Sequence, residues 1–158
     1  MIAMPVALFR VAAVALAFAA AQAGAAQPAV SPHVAYYEMS LKSASSSGRI
    51  ADVRGALVFD WSLTCDAYLV DQRAEMTFFY AIGGSESIGW RFRTTEAFDQ
   101  SLYEFTMERT RDGSVSEVIT GEGAIADAGG AVAFTSPDAP PVTLAADAMF
   151  PSRHTLAL

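Results

Sequence analysis

An alternation of period two constrains this chain more than any other feature, returning in block after block from residue 35 to residue 134. Ala35, Tyr37, Met39 and Leu41 are separated by polar Glu38, Ser40 and Lys42, and Leu57, Phe59, Trp61 and Leu63 alternate with positions that include Asp60, Ser62 and Thr64. The pattern continues from Tyr68-Leu69-Val70 through Met76, Phe78 and Tyr80. It returns at Ile88, Trp90 and Phe92 around Arg91 and Arg93, and at Tyr103, Phe105 and Met107 against Glu104, Thr106 and Glu108. Successive side chains of a strand point to opposite faces, so each run specifies a strand with one apolar and one polar face. The arginines between the aromatic positions are expected to stand in solvent. No window after residue 26 sustains a 3.6-residue period over three turns, and the fold class expected is all-β.

Turn residues punctuate these runs. Ser43 to Gly48 is turn-rich, Gly83-Gly84-Ser85 and Arg111-Asp112-Gly113-Ser114 suit tight hairpins, and Ala128-Gly129-Gly130 separates Val115–Ala124 from Ala131–Phe134. Such short connections require antiparallel neighbours, hence a meander. Pro137 to Pro141 cannot donate into a ladder and is expected to cross between elements. Residues 147–158 carry no firm assignment.

The first 26 residues read as a signal peptide: Arg10 precedes the apolar run Val11 to Ala21, and Ala21-Gln22-Ala23-Gly24-Ala25-Ala26 offers small side chains to a peptidase. Cleavage is expected after Ala25 or Ala26, leaving residues 27–158 as one exported domain. Gln22 and Gly24 interrupt the run before the ~20 residues a membrane helix needs. No cysteine follows it that could carry a lipid. A chain of 158 residues with 53% hydrophobic and 17% charged residues has the material for one packed core. Its net charge of −7 argues against a phosphate-binding surface, so no nucleic-acid partner is expected.

Catalytic signals are sparse. His33 and His154 are the two histidines, neither at a metal-ligand spacing, and each is expected to bond local backbone. There is no nucleophile elbow and no phosphate-binding loop, and the glycine pairs read as turns. Glu96 with Asp99, or Glu104 with Glu108, could be imagined as a carboxylate pair, although the latter two fall on the solvent side of a strand. No catalytic residue, metal or cofactor is expected. Cys65 is the single cysteine and leaves three readings open: a buried free thiol, a reactive nucleophile, or half of a disulfide. The adjoining Asp66 disfavours a thiolate, which makes the nucleophile the weakest of these. Trp61, Tyr68, Trp90, Phe92, Tyr103 and Phe105 are either core residues or the lining of a lipid or peptide groove.

The order of several short blocks carries a resemblance. Ser31-Pro32-His33-Val34-Ala35-Tyr36-Tyr37, Gly55, Trp61 with Cys65-Asp66-Ala67-Tyr68 and Gln72, Gly121-Glu122-Gly123-Ala124, and Phe150-Pro151-Ser152-Arg153-His154-Thr155 together resemble the EipB family of alphaproteobacterial cell envelope integrity proteins. The resemblance implies a periplasmic, non-enzymatic protein built as a strongly bent, spiral-like antiparallel sheet, a partial barrel. Folds of this kind are similar to periplasmic lipoprotein carriers and to sensors of outer-membrane stress, which bind on a concave sheet face. The implied partner is a lipid, lipoprotein, peptide or envelope protein; no integral membrane segment is implied, and a complete chain would be a monomer. By the same resemblance Cys65 matches the first cysteine of a family disulfide. Its partner lies in a second set of strands beyond the Phe-Pro-Ser-Arg-His element, so the chain reads as the amino-terminal part of the family's fold, truncated at Leu158. Ala67 stands where the family tends to have glycine. A small periplasmic hydrolase and a non-functional truncated product are the alternative readings.

Overall fold

The computed structural model describes residues 30–44 and 48–158; the expected signal peptide lies outside the described residues. Eight strands follow one another: β1 (His33–Ser40), β2 (Ile50–Leu63), β3 (Ala67–Tyr80), β4 (Ser85–Ala97), β5 (Tyr103–Arg111), β6 (Ser114–Ala126), β7 (Gly129–Ser136) and β8 (Ala139–Leu144). One short helix, α1 (Pro151–Leu156), comes last. All eight strands pair antiparallel in sequence order in one sheet, which does not close, leaving β1 and β8 as edges. The molecule is all-β, a bent partial barrel. Among the described residues no helix is long and apolar enough to cross a membrane.

Local chemistry explains the turns. Asp112 and Gly113 both take positive φ, 49° and 76°, between β5 and β6, as a two-residue hairpin whose twist matches its strands requires. Gly83 and Gly84 also take positive φ, 92° and 85°, in the longer connection between Tyr80 of β3 and Ser85 of β4. Between β2 and β3 the Thr64 hydroxyl donates to the Asp66 carboxylate at 2.8 Å and accepts the Ala67 amide at 2.9 Å.

One expectation is corrected here. Pro140 and Pro141 lie within β8 rather than in a crossing segment, and β8 pairs with β7 through a register shift between Val132 and Phe134. An edge strand has one unpaired side, and a bulge leaves further backbone groups unpaired, so missing N–H groups are tolerated there. Arg91 and Arg93 stand on the solvent side as expected, and Arg91 is in addition paired: its guanidinium Nε donates to the Asp71 carboxylate at 3.0 Å, and a second nitrogen reaches the other oxygen. This bond with Arg91, above all else, holds the Asp71 carboxyl below the ordinary aspartate range.

Register fixes the two faces. His33, Trp61, Val70, Thr94, Phe105, Gly121 and Phe134 sit opposite one another across seven strands. Ala35, Phe59, Gln72, Phe92, Met107 and Ile119 form the next row of the same face. Phe150 and α1 lie on this face, called the inner face below. The outer face carries Asp60, Asp71, Arg73, Arg91, Arg93, Glu104 and Glu108. Alternation in sequence therefore becomes an aromatic side and a charged side of one sheet.

Candidate binding face

The inner face is covered at one end only. There Phe150, 4% exposed, stacks on Tyr103 with ring centroids 4.5 Å apart and planes 12° apart, and the two join Ile125 in the buried core with Phe105, Leu144 and Ala148 packed around them. Gly121 lies beneath the Phe105 ring, where a Cβ would come within 2.6 Å of it and of the Ala133 carbonyl oxygen. Burial together with the nearby Glu96 charge pushes the Tyr103 hydroxyl up to about 12, the burial contributing more.

The carboxylate of Glu96 anchors α1. Pro151 at the first helical position has no N–H, and the next two amides are both taken by Glu96: Ser152 N–H donates to Oε2 and Arg153 N–H to Oε1, each at 2.8 Å. Phe150, at the cap position, offers no side-chain acceptor. Glu96 thus caps the helix from 56 residues away, a negative charge at the positive end of the helix, and is 1% exposed. The Arg153 guanidinium adds a bond to the Phe98 carbonyl oxygen at 3.1 Å.

Away from α1 the inner face is uncovered and half-buried. Leu57, Trp90, Met107, Ile119 and Phe134 are all partly exposed there, as are Phe59, Val70 and Phe92 at the margin of α1. Aromatic contacts run along it, from His33 and Phe59 to Trp61, on to Tyr68 and Phe98, and from Phe92 through Phe105 to Tyr103. The far rim is polar: Arg109 pairs with Glu117 at 3.0 Å, and Glu86 accepts from Tyr80 at 2.7 Å and from Arg111. Between α1 and the sheet lies a hollow of about 60 Å³, lined by Phe59, Trp61, Gln72, Phe92, Thr94 and Thr155 among others.

The six aromatic residues singled out in the sequence divide by position. Trp61 and Tyr103 are buried at 4% and 7% exposure, whereas Tyr68, Trp90, Phe92 and Phe105 are half-buried on the inner face. His33 bonds local backbone, Nδ1 to the Ser31 carbonyl oxygen at 2.8 Å, and its ring stacks on Trp61. His154 is exposed on α1. Glu96 and Asp99 do not form a catalytic pair: both oxygens of Glu96 hold α1, and Asp99 accepts the Ser101 amide at 2.9 Å in the β4–β5 turn. Glu104 and Glu108 lie on the outer face. Cys65 is an exposed free thiol in the β2–β3 turn, which removes the reading of a buried one. Sequence reasoning missed the capping role of Glu96; the one available signal was a helix start, Phe150-Pro151, with proline but no capping side chain of its own.

Comparison with known proteins agrees with this architecture. A family model described as EipB-like matches residues 24–158. No curated protein matches the chain. Among solved structures the chain is similar to a β-barrel-like protein of a domain of unknown function from Brucella abortus, with a TM-score of 0.71 and 21% identity over 78% of this chain. The match covers 51% of that protein, so the chain spans about half its length.

Proposed function

From the premise that this chain belongs to the EipB-like family, we propose that it is a non-enzymatic, periplasmic cell envelope integrity factor that binds an envelope component on the inner face of its sheet. The observation that carries this reading is the row of half-buried aromatic and aliphatic side chains on β2 to β7, uncovered beyond α1. A contiguous exposed apolar surface costs a protein solubility unless something binds there, and concave sheet surfaces suit elongated apolar ligands. The leader over residues 1–26 supports export, and the engagement of Glu96 in capping argues against acid–base chemistry at the inner face. The component bound is a lipid, lipoprotein, peptide or envelope protein.

Fractionation combined with deletion tests the proposal. The product is expected in the periplasm with its leader removed, and loss of the gene is expected to sensitise cells to detergent, with rescue by the full chain. Cytoplasmic retention, or detergent resistance unchanged on deletion, would contradict it.

A further inference from the structure

The two edges of the sheet differ in how they would receive another strand. An exposed edge presents a row of unpaired N–H and C=O groups, and chains that avoid pairing there interrupt the row with proline, a bulge or a charged side chain. β8 is interrupted in this way: Pro140 and Pro141 lie within it, and its pairing with β7 shifts register between Val132 and Phe134. No proline, lysine or bulge interrupts β1, whose one charge is Glu38. It pairs with β2 residue by residue from His33↔Trp61 to Ser40↔Arg54, so its other side is a regular, unguarded edge.

The hydrogen bonds identify the groups on offer. Just past β1 the Leu41 amide donates to the Val53 carbonyl oxygen at 3.0 Å, in the same register as the strand, which makes these two residues a hydrogen-bonded pair. Such pairs recur at every second residue of an antiparallel ladder, so the backbone groups of His33, Ala35, Tyr37 and Met39 point to β2 and those of Val34, Tyr36, Glu38 and Ser40 point away from the sheet. Apolar side chains flank this edge on both faces: Val34 is 49% and Tyr36 78% exposed on the outer face, and Tyr37 is 51% exposed on the inner.

A second β1 running antiparallel about Tyr36 matches this edge. Tyr36 then lies opposite its own copy, Val34 opposite Glu38, and small Ala35 opposite large Tyr37, so the one charge of each strand meets no like charge. The outward groups of Val34, Tyr36 and Glu38 in the two strands would exchange about six backbone hydrogen bonds. The two-fold axis stands perpendicular to the sheet, so inner face continues into inner face. An isologous contact of this kind closes after two copies, and the joined sheet ends at both sides on the guarded strand β8.

We propose that β1 is the docking edge for a second copy of this chain, the two β1 strands pairing antiparallel about Tyr36 into one continuous sheet. The contact departs from the monomer that the family resemblance implies for a complete chain. It does not depend on the proposed binding face, which the pairing leaves open.

Sedimentation of the full chain in reducing buffer tests the contact, with a reversible monomer–dimer equilibrium as the expected result. Tyr36→Lys, at a side chain already mostly in solvent, is expected to weaken the dimer about tenfold or more, because two lysines would meet on the axis. In a Cys65→Ser background, which removes the exposed native thiol, Tyr36→Cys is expected to cross-link two copies on mild oxidation. Opposed hydrogen-bonded residues have Cα atoms about 5.5 Å apart, a separation a disulfide spans. Val34→Cys, which faces Glu38 in this register, should not cross-link. In the wild type, hydrogen exchange at the amides of Val34, Tyr36 and Glu38 should slow as protein concentration rises, an arm that needs no variant. A monomer at every concentration would overturn the proposal. So would a dimer that persists in Tyr36→Lys, that cross-links as readily through Val34→Cys, or that leaves exchange along β1 unchanged.

Discussion

Glu96 shows how a single side chain can organise an end of this sheet. Its two oxygens accept the first free amides of α1, which has no capping side chain of its own. Charge-assisted bonds of this kind contribute about 1.5–3 kcal/mol each, and removing the acceptor leaves both donors unpaired. Glu96→Ala is expected to destabilise the chain by about 3 kcal/mol in urea unfolding, with Glu96→Gln, which keeps one acceptor oxygen, losing less. Tyr103 provides a pH-dependent counterpart. Its folded pKa is raised to about 12, so the neutral hydroxyl is favoured by folding; the resulting stability is full below the unfolded value near 10 and is lost as pH rises toward 12. Denaturation midpoints measured from pH 9 to 12 should therefore fall, and Tyr103→Phe should flatten that slope. An identical slope in the variant would assign the alkaline sensitivity elsewhere.

At the scale of elements, the strands were legible in sequence and their exceptions were not. Alternation around Trp61, Trp90 and Phe105 identifies strands because a half-buried sheet imposes period two on whatever sequence forms it. β8 escaped because proline opposes strands on average, an average dominated by interior strands rather than edges. α1 escaped because six residues are too few to show a helical period, and its stability comes from Phe150 and Glu96 rather than from propensity. Nothing in a linear sequence pairs Glu96 with amides 56 residues later. The packing at this end makes two predictions. Phe150→Ala, which removes the ring stacked on Tyr103, should cost about 3–5 kcal/mol in equilibrium unfolding. Gly121→Ala should cost about 1–3 kcal/mol, because the added methyl meets the Phe105 ring and the Ala133 carbonyl. A neutral Gly121→Ala would mean that both the Phe105 ring and the β7 backbone at Ala133 give way to the methyl.

At the scale of the whole molecule, the sheet is two-sided and open. One face carries Asp71, Arg91 and their charged neighbours, and the other an aromatic strip that α1 covers at one end. The candidate face was half legible: six aromatics were named in the sequence, but alternation cannot separate Trp61 and Tyr103, which packing buries, from Trp90 and Phe92, which it leaves half-open. That distinction depends on where the sheet bends and what lies across it. An open strip of this kind is expected to hold an envelope component in the cell, and native mass spectrometry of the protein gently isolated from a periplasmic extract would detect it. The expected spectrum shows the chain together with a bound apolar molecule, and loss of that adduct in a folded Phe92→Asp variant. A bare chain, or the same adduct retained by Phe92→Asp, would contradict it.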